Sequence, residues 1–151
     1  MTTAAPVDDR LLAALAVTIQ RCGHAVYADC DPLMVDPTTA YTVGFHAEER
    51  SSGYELAIIG MPPRAAARAL NDVSDRLWSI PGAFLQPDMI LLDVQGYTAK
   101  LRPADDSSFL VLSHALYEHK APALQVLIAD PNGFFPDDPA YSNGINGQRL
   151  L

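Results

Sequence analysis

Glutamate, histidine and arginine recur where neighbouring strands would bring them to one end of a sheet. His46 follows the run that opens Tyr41-Thr42, Glu55 begins the next apolar run, and Arg102 closes a later one. A carboxylate within hydrogen-bond reach of an imidazole is an acid–base pair, and Arg102 beside it would act as an electrostatic anchor or as the ion-pair partner of Glu55. The same side chains would equally satisfy one another as a network that supports the fold. Residue types alone leave both readings open.

Cys22, His24 and Cys30, with His46 further on, are the most metal-like grouping, because thiolate and imidazole are zinc's preferred ligands. Their spacing matches no common zinc module. Cys22 closes an apolar helical stripe and Cys30 sits at a strand end, which suits small half-buried thiols. Asp130, Asn132, Asp137 and Asp138 supply oxygen donors, yet Gly133 follows directly on Asn132 and no glutamate closes a twelve-residue loop. Asp-Pro and Asn-Gly are turn formers in their own right. Phe134 and Phe135 would pin that turn to the body of the protein. The expectation is no metal and no cofactor.

Nucleophilic and nucleotide motifs are missing. There is no Gly-x-Ser-x-Gly elbow, no Walker sequence and no Gly-x-Gly-x-x-Gly after a strand. Ser107, Ser108 and Ser113 fall on the third helix, where capping and surface exposure account for them. His119 and Lys120 suit that helix's C-terminus, where cations are favoured.

Ten Lys plus Arg against 18 Asp plus Glu give a formal charge of −8, and only two lysines occur, Lys100 and Lys120. Such a field repels phosphate backbones and anionic headgroups, which argues against nucleic-acid and membrane partners. The start of the chain lacks the basic region of a signal peptide, and its longest apolar runs are about five to seven residues against the roughly 20 of a spanning helix. A cytoplasmic protein is expected.

The elements that must position these residues follow from periodicity. Leu11, Leu12, Leu15, Ala16, Ile19 and Cys22 share one helical stripe over residues 8–22, behind Asp8 and Asp9 and before Gly23. Residues 24–30, 41–45 and 54–59 read as a meander of strands, with turns at Asp31-Pro32, Asp36-Pro37 and residues 48–53. Pro62-Pro63 opens a second helix with Ala66, Leu70, Val73 and Leu77 on its apolar face, and Pro81-Gly82 ends it. Residues 88–94 are apolar on both faces and read as an interior strand, joined through Gln95-Gly96 to a fifth strand over 97–102. Asp105, Asp106 and Ser107 offer N-caps for a third helix carrying Phe109, Leu112 and Leu116. After Pro122 comes a last strand, 124–129. The order predicts one α+β domain over residues 1–151: a mixed or mainly antiparallel sheet of about six strands with about three helices, packed on one face.

Several segments in sequence order resemble the bacterial family described as domain of unknown function 4262. They are Ala40-Tyr-Thr-Val-Gly-Phe45, Glu55-Leu56, Gly60-Met-Pro-Pro63, Gly96-Tyr97 with Leu101-Arg-Pro103, Leu124-Gln-Val126 with Asp130-Pro-Asn-Gly-Phe-Phe-Pro136, and Gln148-Arg-Leu-Leu151. The blocks cover residues 40–151. The resemblance implies a small bacterial domain and no particular reaction. Gly53-Tyr54 stands where the family often has His-Pro, and Ala129 and Asp137 stand where it often has tryptophan.

Two functions are carried forward. One is an accessory or binding protein that recognises a protein partner or small ligand through Tyr41, Thr42, Asp130, Phe134, Phe135 and Tyr141. The other is a small hydrolase or tailoring enzyme using Glu55, His46 and Arg102. A homodimer is left open.

Overall fold

Asp8 caps the first helix, α1 (Asp9–Cys22), by accepting the Arg10 N–H on Oδ1 at 2.9 Å. Gly23 ends it, its N–H donating to the Ile19 carbonyl at 2.8 Å. A computed structural model describes residues 8–29, 39–141, 148, 150 and 151. Cys30, the turn pairs Asp31-Pro32 and Asp36-Pro37, and Arg149 lie outside the described residues.

Among the described residues six strands form one sheet: β1 (Ala25–Asp29), β2 (Thr39–Val43), β3 (Glu55–Ile59), β4 (Ile90–Val94), β5 (Tyr97–Pro103) and β6 (Ala123–Ile128). Their spatial order is β1-β2-β3-β6-β5-β4. β3 and β6 run parallel and every other neighbouring pair is antiparallel, so the sheet is mixed. With α2 (Pro63–Ser79) and α3 (Val111–Tyr117), the chain is a single α+β domain of the expected content.

The helices divide between the two faces rather than sharing one. Ala66, Leu70, Val73 and Leu77 of α2 bury against Ala40, Leu56, Ile58, Leu101, Leu124 and Val126. Leu15 of α1 and Leu112 of α3 join Tyr41, Val43, Ala57 and Ala123 on the other side. The reason lies in the central strands. Every residue of β3 is buried, so successive side chains pointing to opposite faces both need cover.

β4 is an edge strand, not an interior one. Met89 and Leu91 turn inward against the α2 side, while Ile90 and Leu92 are 51% and 68% exposed on the opposite face. The helices there, α1 and α3, pack toward β1 and β2 and leave β4 uncovered. An irregular register between Leu91 and Val94 and a left-handed Asp93 (φ 58°) distort the edge. Arg76 of α2 donates to the Leu92 and Asp93 carbonyls, occupying groups that an open edge would otherwise present for pairing.

α3 starts later than the Asp105–Ser107 caps imply. Asp106 instead organises the preceding turn, accepting the Ser108 N–H at 2.9 Å and its hydroxyl at 3.0 Å. Glu118, in left-handed conformation (φ 57°), closes the helix, so His119 and Lys120 lie beyond it. Among the described residues no helix is long and apolar enough to cross a membrane.

Candidate functional site

Antiparallel pairing of β2 with β3 brings the end of one strand beside the start of the other. After Val43 the chain turns through Gly44 (φ 88°) into a short 3₁₀ turn, Phe45–Ala47, which carries His46 over Glu55. The Glu55 side chain is fully buried. Its Oε1 accepts the Thr42 hydroxyl at 3.0 Å and the His46 N–H at 2.9 Å. Its Oε2 accepts the Gly44 N–H at 2.9 Å, the Ser113 hydroxyl at 2.7 Å and His46 Nδ1 at 3.0 Å. Two carboxylate oxygens offer about four lone-pair directions, and here five donors converge on them. Two of the donors are backbone N–H groups, which cannot turn round to accept. The arrangement therefore matches a carboxylate anion whose desolvation is offset by hydrogen bonds.

His46 passes this anchoring outward. Its Nε2 lies 3.0 Å from Nε2 of His119, whose Nδ1 donates to the Tyr117 carbonyl at 2.9 Å. The ring of Tyr117 meets His46 edge-to-face at 4.6 Å between centroids. Burial, followed by the Glu55 and Glu48 charges, pushes the Tyr117 phenol above its ordinary value. Both Nδ1 atoms face acceptors and so carry hydrogens, which leaves two Nε2 lone pairs pointing at each other. A hydrogen bond between them needs one further proton. The line runs from a buried acid, through an imidazole whose side chain is 8% exposed, to the exposed His119.

A second imidazole stands close by. His24, just past α1, places Nδ1 3.2 Å from Glu48 Oε1 and Nε2 3.1 Å from Asn71 Oδ1, with its ring edge-to-face on Phe45. Both nitrogens then donate, which is the imidazolium. Burial is the largest influence and opposes the charge, but the hydrogen bonds to Glu48 and Asn71 and the Glu48 and Glu55 charges together outweigh it, so the His24 pKa is raised above its ordinary 6.5. The stability this confers is fully present below about pH 6.5 and lost as pH rises through the higher folded value. Urea midpoints measured across that window should therefore fall with rising pH in the wild type more steeply than in His24→Gln. Parallel curves would contradict this.

The remaining sequence candidates fall in different places. Arg102 donates to the Pro103 carbonyl at 3.3 Å and pairs with Asp105 at 3.5 Å, and among the described residues no hydrogen bond or ion pair joins it to Glu55. Tyr41 and Thr42 are buried. Tyr41 Oη accepts the Leu112 N–H, tying α3 to the sheet. Asp130 is buried and organises its loop, with Oδ1 accepting the Asn132 and Phe134 N–H groups at 2.9 Å each. Phe134 is 39% exposed, Phe135 lies under the Lys100 ammonium, and Lys100 pairs with Asp137 at 2.8 Å. Tyr141 accepts the Gln148 N–H at 3.4 Å. Cys22 is an exposed free thiol. Among the described residues, no three His, Cys, Asp or Glu side chains gather into a metal-binding group.

Sequence reasoning missed two members of the site. Ser113 is fully buried against Glu55 rather than exposed, and His119 points back to His46 rather than serving as a helix-end cation. Ser113→Ala removes one donor from a buried anion and is expected to cost about 1.5–3 kcal/mol, the range for a hydrogen bond to a charged group. Equilibrium urea unfolding measures it. A change below about 0.5 kcal/mol, typical of an unconnected surface site, would contradict the contact.

The fold and site together define a small α+β domain with a carboxylate–imidazole–imidazole line at the β2–β3 end of a mixed sheet. The chain belongs to the DUF4262 family, a domain of unknown function, whose model matches residues 18–142. That match takes in the end of α1 and the motif blocks from residue 40 to Pro136, while Gln148-Arg-Leu-Leu151 lies beyond it. No curated protein and no solved structure matches the chain.

Proposed function

We propose that the chain is a small acid–base enzyme in which Glu55 orients His46 as the reacting base and His119 exchanges protons with solvent. The observation that carries this reading is the continuous line of contacts, Glu55 Oε2 to His46 Nδ1 at 3.0 Å and His46 Nε2 to His119 Nε2 at 3.0 Å. A carboxylate behind Nδ1 holds that nitrogen's hydrogen in place, so His46 Nε2 is the atom that takes and gives the proton exchanged with His119. His119 is exposed, and rotation of its ring would open His46 Nε2 to a small substrate at the surface. Neither Arg102 nor any other arginine is needed in this scheme.

The test uses an activated ester, p-nitrophenyl acetate, as a generic acyl donor with water as acceptor. His46→Gln removes the ring base. Hydrolysis should fall at least tenfold, since positioned general bases contribute about 10²–10⁴. A folded His46→Gln protein with the wild-type rate would overturn the reading.

A second reading, recognition of a protein partner or small ligand in the cytoplasm, has one observation in its favour. The loop after β6 is held by Asp130 and presents Phe134 to solvent on a pre-ordered backbone. Phe134→Ser should leave the unfolding free energy within about 0.5 kcal/mol of wild type while abolishing co-purification of a partner. Retention of the partner would count against this surface.

A further inference from the structure

The Nε2 atoms of His46 and His119 face each other at 3.0 Å. In the acid–base reading they pass a proton between them. We infer that the same gap between His46 and His119 is an inhibitory site for a borderline divalent cation of the zinc class, which closes the relay. The inhibitory consequence rests on the acid–base reading; the binding itself does not.

The outer contacts of both rings are those that metal-ligating histidines require. Such residues hand their second nitrogen to a carboxylate or a backbone carbonyl, which fixes the ring and its tautomer. His46 Nδ1 donates to Glu55, and His119 Nδ1 donates to the Tyr117 carbonyl. Each Nε2 is thereby presented as a lone pair. The rings meet near tip to tip, with centroids 5.0 Å apart and planes at 76°. Zinc–nitrogen bonds of about 2.0–2.1 Å at a tetrahedral angle separate two nitrogens by roughly 3.3 Å. The observed pair needs to open by only a few tenths of an ångström, and the exposed His119 has the freedom to do so.

The donor set also selects the class. Imidazole nitrogen suits zinc, copper and nickel, whereas calcium and magnesium seek oxygen. No third His, Cys, Asp or Glu joins the pair in a metal-holding group among the described residues, so the other coordination positions would go to water. A labile, reversible ion follows, in keeping with inhibition rather than with a structural centre. Each nitrogen donates its lone pair to the metal, and any hydrogen held between them leaves to solvent.

Calorimetric titration of the metal-free protein with zinc chloride tests this. The expected result is one site per chain, at least tenfold weaker in His119→Gln and unchanged in Cys22→Ser. Cobalt(II) in place of zinc should give a visible absorption band that His119→Gln lacks. The inference is overturned if binding does not saturate, persists in His119→Gln or disappears in Cys22→Ser. Zinc that binds at this pair without slowing ester hydrolysis overturns the inhibitory role. Absence of zinc binding in a protein whose His46→Gln variant loses ester hydrolysis as expected sinks this inference alone and leaves the acid–base reading standing.

Discussion

Replacing Glu55 with glutamine is expected to destabilise the fold by about 3–5 kcal/mol, the range for removing one partner from a buried charged network. The substitution is nearly isosteric, so the effect is not one of volume. Each carboxylate oxygen receives a rigid backbone donor, the His46 N–H on Oε1 and the Gly44 N–H on Oε2. Whichever oxygen becomes an amide NH₂, it confronts an N–H that cannot rotate away. Flipping the amide exchanges one conflict for the other. Against a total stability of about 5–15 kcal/mol, the loss should show as a large drop in the urea midpoint. A loss below about 1 kcal/mol would mean that the five donors do not act on a common anion.

Gly44→Ala is the second large effect, expected at about 2–3 kcal/mol, and it separates two causes. Gly44 sits at φ 88°, where a side chain is strained by roughly 1–2 kcal/mol. A Cβ there would also stand 2.7 Å from the Tyr117 hydroxyl and 3.1 Å from Ile19 Cδ1. Gly53, at φ 84° with open space around it, supplies the control. Gly53→Ala should incur the backbone strain only. The excess for Gly44→Ala measures displacement of Tyr117, whose ring and carbonyl hold His46 and His119 respectively. Equal losses in the two variants would contradict that close approach.

The half of the site that was legible in the sequence is the half built locally. His46 and Glu55 flank one turn between adjacent strands, so a hairpin reading placed them together at a separation of nine residues. His119 and Ser113 contact this pair from 73 and 58 residues away, through α3. Placing all helices on one face hid that contact, because α3 reaches Glu55 only from the side opposite α2. The same oversight made β4 look interior. Its apolar run is continuous, but Ile90 and Leu92 face a stretch of sheet that neither α1 nor α3 covers. Periodicity tells which faces are apolar; it does not tell which are covered. Arg102 shows the converse limit. Its strand was legible, but Asp105 and the Pro103 carbonyl, close by in sequence, take up its guanidinium.

The account turns on the proton between two imidazoles. Long-range ¹H–¹⁵N correlation of the histidine side chains in the metal-free protein at neutral pH reads it directly. The prediction is that His46 and His119 both carry hydrogen on Nδ1, with a single slowly exchanging proton shared between their Nε2 atoms, and that His119→Gln removes that resonance. A neutral His46 bearing its hydrogen on Nε2, beside a His119 that behaves as an independent solvent-exposed ring, would contradict the relay.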